Sequence, residues 1–337
     1  MYGWERLGSA LTAVLHMVGI PALRYVDDLF FAVPSCMGDV AKKCLVEAIS
    51  LLGYHLEPSK TEGPASLMTI LGVQIKVRPH SVVLAPDPLK AAKWIRDLQE
   101  ALATNSLPPS QAAKMAGRLN FAASSVFGKL GSAHLRPLYA RLHHSGRSAP
   151  GSPLNPEITA SLVFWIDLLH MPHFRRILEL PHCKTPAKVL YTDATGHGDL
   201  GFVLYEGSST PSSWAASRVP DEVTSTLSER ITQVTAFELL APRWSIMQSP
   251  QLRNCRVDLY IDNQAAEHIL RKGASAAPDL NLIADKFWHL IFERNITLRV
   301  FRVPSKENPS DAPSRGEAPE FSLDKFHSVS SPSSHFL

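Results

Sequence analysis

Four cysteines in 337 residues, Cys36, Cys44, Cys183 and Cys255, are too few for a disulfide framework, and none makes a C-x-x-C pair. Free thiols in a reducing compartment, cytoplasmic or nuclear, are expected. Long apolar runs are lacking as well: none reaches the roughly 20 residues that a membrane-crossing helix needs, so no membrane partner is expected. Residues 7 to 20 place Leu7, Leu11, Val14, Leu15 and Val18 on one helical side and Ser9, Thr12 and His16 on the other. No A-x-A cleavage site follows, so the stretch reads as an amphipathic helix and not as a secretion signal. His170, His173, His182 and Cys183 fit no standard zinc spacing, and no internal repeat is found. Net charge is only +3, so any affinity for an anionic partner must lie in the distribution of charge. With 45% apolar and 19% charged residues, the composition is that of a globular protein with room for two or three domains.

What is there is a set of ordered carboxylates. The apolar run from Lys188 ends in Asp193, a glycine turn follows, and Leu200 to Tyr205 returns, which predicts a β-hairpin with an acid at a strand end. Another strand is expected around Trp214. Between Ile231 and Met247 the apolar residues 231, 234, 237, 241 and 244 follow a helical period, with Glu238 on or beside the stripe. A carboxylate there needs a cation or donors, because desolvating it alone costs several kcal/mol. Pro242 would remove the donor to the carbonyl of residue 238, which predicts a kink that aims Glu238 inward. Arg256 to Asp262 alternates like a strand and ends in a second strand-terminal acid, with Asn263 opening a helix. Ile296 to Val303 predicts a last strand, and the segment after it reaches Asp311. Any one of these acids alone reads as a solvated or capping residue; four in order at element ends or on a core-facing helix do not.

The order Asp193, Glu238, Asp262, Asp311, with the local wording YTDATGHG, TAFELLA, YIDNQAA and NPSDAPSR, resembles the ribonuclease H domain of retrotransposon (LTR/DIRS-like) reverse transcriptases. The resemblance implies an α/β, three-layer ribonuclease H-like domain over residues 185–316, with a mixed five-stranded sheet flanked by helices. It also implies metal-dependent cleavage of the RNA strand of RNA–DNA hybrids. The four acids would hold two Mg²⁺ or Mn²⁺ ions, which suit a carboxylate site doing phosphoryl chemistry. Some family members carry a histidine in the loop before the last acid; Val303 to Asp311 contains none.

Nearer the start, Tyr25-Val-Asp-Asp28 sits between two apolar runs as a hairpin would. Leu52 to Lys60 and Ile70 to Ile75 follow in the order seen after the Y-x-D-D hairpin of a reverse-transcriptase palm. By that resemblance Asp27 and Asp28 match metal ligands and Lys60 the lysine near the departing pyrophosphate. The family's further palm aspartate has no counterpart, since the only acid before Asp27 is Glu5. Residues 1–84 therefore read as a partial α+β palm, the chain as the carboxy-terminal part of a reverse transcriptase or an incomplete gene model, and polymerase activity is not expected of it.

Residues 84–147 hold nine basic and three acidic residues, a local excess of six. Asp87-Pro88 reads as an N-cap with proline at the first helical position. A helix near Ser110 to Val126 puts Met115, Leu119, Ala122 and Val126 on one face and Lys114 with Arg118 on another. By resemblance residues 85–145 form a helical thumb whose Lys114 and Arg118 contact nucleic-acid phosphates. Residues 146–184 read as a linker with a connecting helix from Pro156 to Leu169, and 317–337 as a disordered tail. The partners implied are an RNA–DNA hybrid and other parts of a retroelement polyprotein. Two other functions share the fold: a catalytically silent connection or nucleic-acid-binding domain, and a transposase or integrase nuclease. Intact acids argue against the first, and the glutamate on the first helix argues against the second.

Overall fold

The computed structural model describes residues 2–126, 128–143, 153–171, 176–179 and 186–319. The chain divides into two compact units, Met1–Pro79 and His80–Leu337.

In the first unit, α1 (Tyr2–Met17) is followed by the hairpin of β1 (Leu23–Tyr25) and β2 (Asp28–Phe30), then α2 (Gly38–Leu51), β3 (Leu67–Ile70) and β4 (Val73–Val77). Of the stripe expected on α1, Leu15 is buried with Ile20, Ala22, Leu45 and Ile49 in a small core and Leu11 packs against it, whereas Leu7 and Val18 are exposed. Tyr25 pairs with Asp28, so Val26 and Asp27 form the two-residue turn, and Val26 takes the left-handed φ of 52° that such a turn requires. The run at residues 70–75 folds back on itself at Leu71-Gly72 and pairs β3 with β4.

The second unit opens with β5 (Ser81–Pro86), α3 (Pro88–Ala103), α4 (Pro109–Val126), α5 (Ser132–His143), α6 (Pro156–His170) and β6 (Arg176–Glu179), which pairs antiparallel with β5. Asp87 caps α3 by accepting from the Lys90 N–H at 2.9 Å, and Trp165 of the expected connecting helix is fully buried. The expected linker residues 146–152 and tail residues 320–337 lie outside the described residues.

Next come β7 (Lys188–Ala194), β8 (Asp199–Tyr205), β9 (Ser213–Arg218), α7 (Asp221–Thr224), α8 (Val234–Gln248), β10 (Arg256–Ile261), α9 (Gln264–Lys272), α10 (Pro278–Glu293), β11 (Thr297–Arg302) and α11 (Asp311–Ser314). The strands form the mixed five-stranded sheet that the resemblance implied, in the order β11-β10-β7-β8-β9. β7, β8 and β9 pair antiparallel, while β10 pairs parallel with both β7 and β11.

Alternation along the strands decides what each face meets. Leu190, Leu200, Phe202, Leu204, Val257, Leu259 and Ile261 join Phe237, Leu240, Trp244, Ile269, Leu270, Ile283 and Phe287 of α8–α10 in one core. Out of phase with them, Gly201 faces α11 on the other side. That side also carries Tyr191, Tyr260 and Phe301 in stacked pairs, with ring centroids 4.8 and 5.2 Å apart.

One local expectation is corrected. The helix predicted from Ile231 begins at Val234, because Arg230 is pinned to Asp279 by two bonds of 2.6 and 2.5 Å, leaving Ile231 fully exposed. At the other end, α8 continues through Pro242 to Gln248.

Candidate active site

β7 and β10 run parallel, so their carboxyl ends lie at one edge of the sheet, where ligands of α/β folds collect. Asp193 is the penultimate residue of β7, and Asp262 directly follows β10. The chain then turns at once into α9, whose first N–H groups at Ala265 and Ala266 are capped by Asn263 at 3.0 Å. Glu238 comes from the second turn of α8. One ligand oxygen from each of Asp193, Glu238 and Asp262 lies within 4.8 Å of the others.

Asp193 and Glu238 are 6% and 3% exposed, so their charges meet little water. Burial first, and then the neighbouring Asp193 and Asp262 charges, push the Glu238 carboxyl up to about 9. The Ala194 N–H donates to it, while Oε2 has no hydrogen-bond partner among the described residues. Burial also lifts Asp193, to about 6, against the hydrogen bond from Ser314; the Asp262 and Asp311 charges add to the rise.

Three converging carboxylates, two of them buried with no salt bridge among the described residues, are an oxygen-only set that could hold a hard divalent cation. Oxygens bound to one Mg²⁺ at about 2.1 Å are at most about 4.2 Å apart, so small side-chain adjustments bring the three into range. The orphaned Glu238 oxygen and the mutual repulsion both fit such an occupant.

Asp311 stands beside this group and not within it. Its Oδ1 accepts from Arg315 Nε and Nη2 at 3.1 and 2.9 Å. Residues that the sequence reading passed over hold it there. Asn308 Nδ2 donates to the Thr192 carbonyl at 3.2 Å, and its Oδ1 accepts from Ser310 Oγ at 2.6 Å. Ser314 Oγ donates to Asp193 Oδ2. Gly201 gives α11 its seat. The one sequence signal for these contacts was that Asn308, Ser314 and Arg315 stand within the same short motif as Asp311.

The remaining candidates are not members of this group. Asp27 and Asp28 occupy the turn and first strand residue of the β1–β2 hairpin, and Lys60 ends an exposed 3-10 turn, Pro58–Lys60. Among the described residues, no metal-competent group of three forms around them. Lys114 is exposed on α4, but Arg118 donates to Asp97 of α3 at 2.8 Å, so one of the two expected phosphate contacts is engaged within the protein. His173, His182 and Cys183 lie outside the described residues. Among those described, no helix is long and apolar enough to cross a membrane.

The sheet order and the helices that flank it decide the fold of the second unit's carboxy-terminal part. It is α/β, with the mixed five-stranded sheet that the ribonuclease H resemblance implied. No family model matches the chain, and no curated protein matches it. Among solved structures, a ribonuclease H1 isolated from compost by a metagenomic approach matches 36% of this chain and 87% of its own, at 17% identity and a TM-score of 0.30. The ribonuclease H1 of the archaeon Halobacterium salinarum matches 37% of this chain and 91% of its own, at 18% identity and a TM-score of 0.30. A foamy viral protease-reverse transcriptase, solved with an RNA/DNA hybrid, matches 96% of this chain and 40% of its own, at 16% identity and a TM-score of 0.40.

Proposed function

We propose that this chain is a metal-dependent ribonuclease H that cleaves the RNA strand of RNA–DNA hybrids, within a chain related to retrotransposon reverse transcriptases. The observation that carries the proposal is the convergence of Asp193, Glu238 and Asp262 within 4.8 Å at the carboxyl edge of a five-stranded mixed sheet. Asp193, Glu238 and Asp262 would hold Mg²⁺ or Mn²⁺, with Asp311 completing the site from α11. Bound there, divalent ions supply an activated water for attack on the phosphodiester and neutralise the charge on the departing 3′-oxygen.

The protein's own part is to hold the acceptors in place; a bound cation's charge would favour their ionised form against the burial that raises them. Burial keeps Asp193 and Glu238 from finding water as an alternative partner, and Arg315 holds Asp311 by two bonds to one oxygen. Selectivity for the hybrid would come from contacts to the 2′-hydroxyls of the cut strand. In the same reading, residues 1–84 correspond to part of a palm, with Asp27, Asp28 and Lys60 at its matching positions. Residues 85–145 correspond to a thumb, in which Lys114 meets phosphates without reading bases, and 146–184 to a connecting segment.

The test is a cleavage assay on an end-labelled RNA–DNA hybrid with Mg²⁺, beside single-stranded and duplex RNA. Cleavage confined to the RNA of the hybrid, and lost in Asp193→Asn, is expected. Mg²⁺-dependent binding without cleavage would favour the silent connection-type domain.

A further inference from the structure

The buried hydroxyl of Ser314 donates to Asp193 Oδ2 and has no part in the proposed chemistry. We infer that Ser314 is a positioning residue for Asp193: its hydroxyl fixes the plane in which the carboxylate is presented to a divalent cation. This inference rests on the proposed metal-dependent function and deepens it.

Ser314 is 1% exposed, so water does not compete for its hydroxyl, and a hydroxyl carries one proton to donate. Two acceptors lie in reach, Asp193 Oδ2 and, at 2.9 Å, the Asp311 carbonyl. An ionised carboxylate is the stronger acceptor. When Asp193 is charged, as metal binding requires, the proton therefore turns toward it. The carboxylate then loses its freedom to rotate about its last torsion, a broad, two-fold torsion that the backbone leaves soft.

Ser314 can do this only because its backbone is fixed. A Cβ placed on Gly201 would lie 2.3 Å from Ser314 N, 2.8 Å from the Ser310 carbonyl oxygen and 2.9 Å from Pro313 C. Gly201 is the residue paired with Asp193 across the β7–β8 ladder. The turn bearing Ser314 thus rests on the strand beside Asp193, and Asn308 ties the preceding loop to Thr192, the residue before Asp193. The contact is built from both ends, as the outer-shell partners that orient metal ligands are.

The experiment measures Mg²⁺ binding calorimetrically on the full chain, without substrate, in wild type, Ser314→Ala, Ser314→Thr and Asp262→Asn. Circular dichroism verifies that each variant is folded. Removing an outer-shell partner typically weakens metal affinity 10- to 100-fold, so Ser314→Ala is expected to bind Mg²⁺ on the order of 10-fold more weakly than wild type. Ser314→Thr, which keeps the hydroxyl, is expected to recover part of that loss. Folded Ser314→Ala with wild-type Mg²⁺ affinity overturns the inference while leaving the metal-dependent reading standing. Wild type that binds no Mg²⁺, or binds it as Asp262→Asn does, overturns both. A Thr variant that is folded yet as weak as Ala also counts against the hydroxyl.

Discussion

Gly201 stands directly opposite Asp193 in the antiparallel pairing of β7 with β8, and the backbone of α11 fills the space that a side chain there would take. Gly201→Ala must push the turn carrying Asp311 and Ser314 off the sheet, because the atoms it meets are backbone and cannot rotate away. Overpacking of this kind costs about 1–3 kcal/mol. A lower melting temperature and a loss of hybrid cleavage are expected. Gly196→Ala, in the turn between β7 and β8, meets nothing nearer than Val234 Cγ2 at 3.5 Å and serves as the control. Equal melting temperatures for the two variants would remove the close approach of α11 as a constraint.

The buried carboxyls set a pH dependence with a definite sign. Asp193 and Glu238 hold their protons to about 6 and about 9 when folded, against ordinary values of 3.8 and 4.5. Between the ordinary and the raised values the folded state binds more protons than the unfolded chain, so stability falls as pH rises. Their contribution is complete below about pH 4, declines through about 6 as Asp193 ionises, and declines further toward about 9 with Glu238. Asp279 acts in a separate window: the bonds from Arg230 hold it at about 2, so its contribution is lost as pH falls below 3.8. Melting temperatures in chelator across pH 4.5–8.5, for wild type and Glu238→Gln, test this. The same slope in both would show that Glu238 does not carry the effect.

Metal should reverse that penalty. On the proposed function Mg²⁺ would bind only the assembled cluster, and it is then expected to stabilise the folded chain by an amount that grows with its concentration, about 2.7 kcal/mol at one hundred times Kd. Asp262→Asn removes one ligand and one repelling charge. Loss of cleavage is expected, together with a melting temperature in chelator at or above that of wild type and little response to Mg²⁺. An aspartate with a merely structural role behaves oppositely, since loss of a cap or ion pair costs about 1 kcal/mol. A lowered melting temperature in chelator, with wild type indifferent to Mg²⁺, would falsify the shared site.

On α4 the two basic residues should differ. Each phosphate contact contributes about 0.9 to the slope of log affinity against log salt. Lys114→Ala is expected to lower the hybrid-binding slope by roughly one unit. Arg118→Ala should leave it nearly unchanged, because that guanidinium is paired with Asp97 at 2.8 Å. An equal drop for both in a salt titration would mean that Arg118 leaves Asp97 for the nucleic acid.

Much of this protein is local, and the sequence by itself determined it. The apolar alternation ending at Asp193 and Asp262 specifies strands with acids at their ends, since a strand's faces are set by a period of two. The stripe of α8 carries Glu238 inward because hydrophobic burial chooses which side of a helix faces the core. Asp87 and Asn263 mark helix starts by capping N–H groups only two or three residues away. The tertiary structure decided everything that depends on residues distant in the chain. That the Arg230–Asp279 pair delays α8 to Val234 requires α10 to arrive, and that Arg118 meets Asp97 requires α3 and α4 to pack. Ser314 became a partner of Asp193, 121 positions earlier, only when the sheet placed Gly201 between strand and turn. A missing side chain leaves no periodicity to read; its meaning is the backbone that comes to occupy its place.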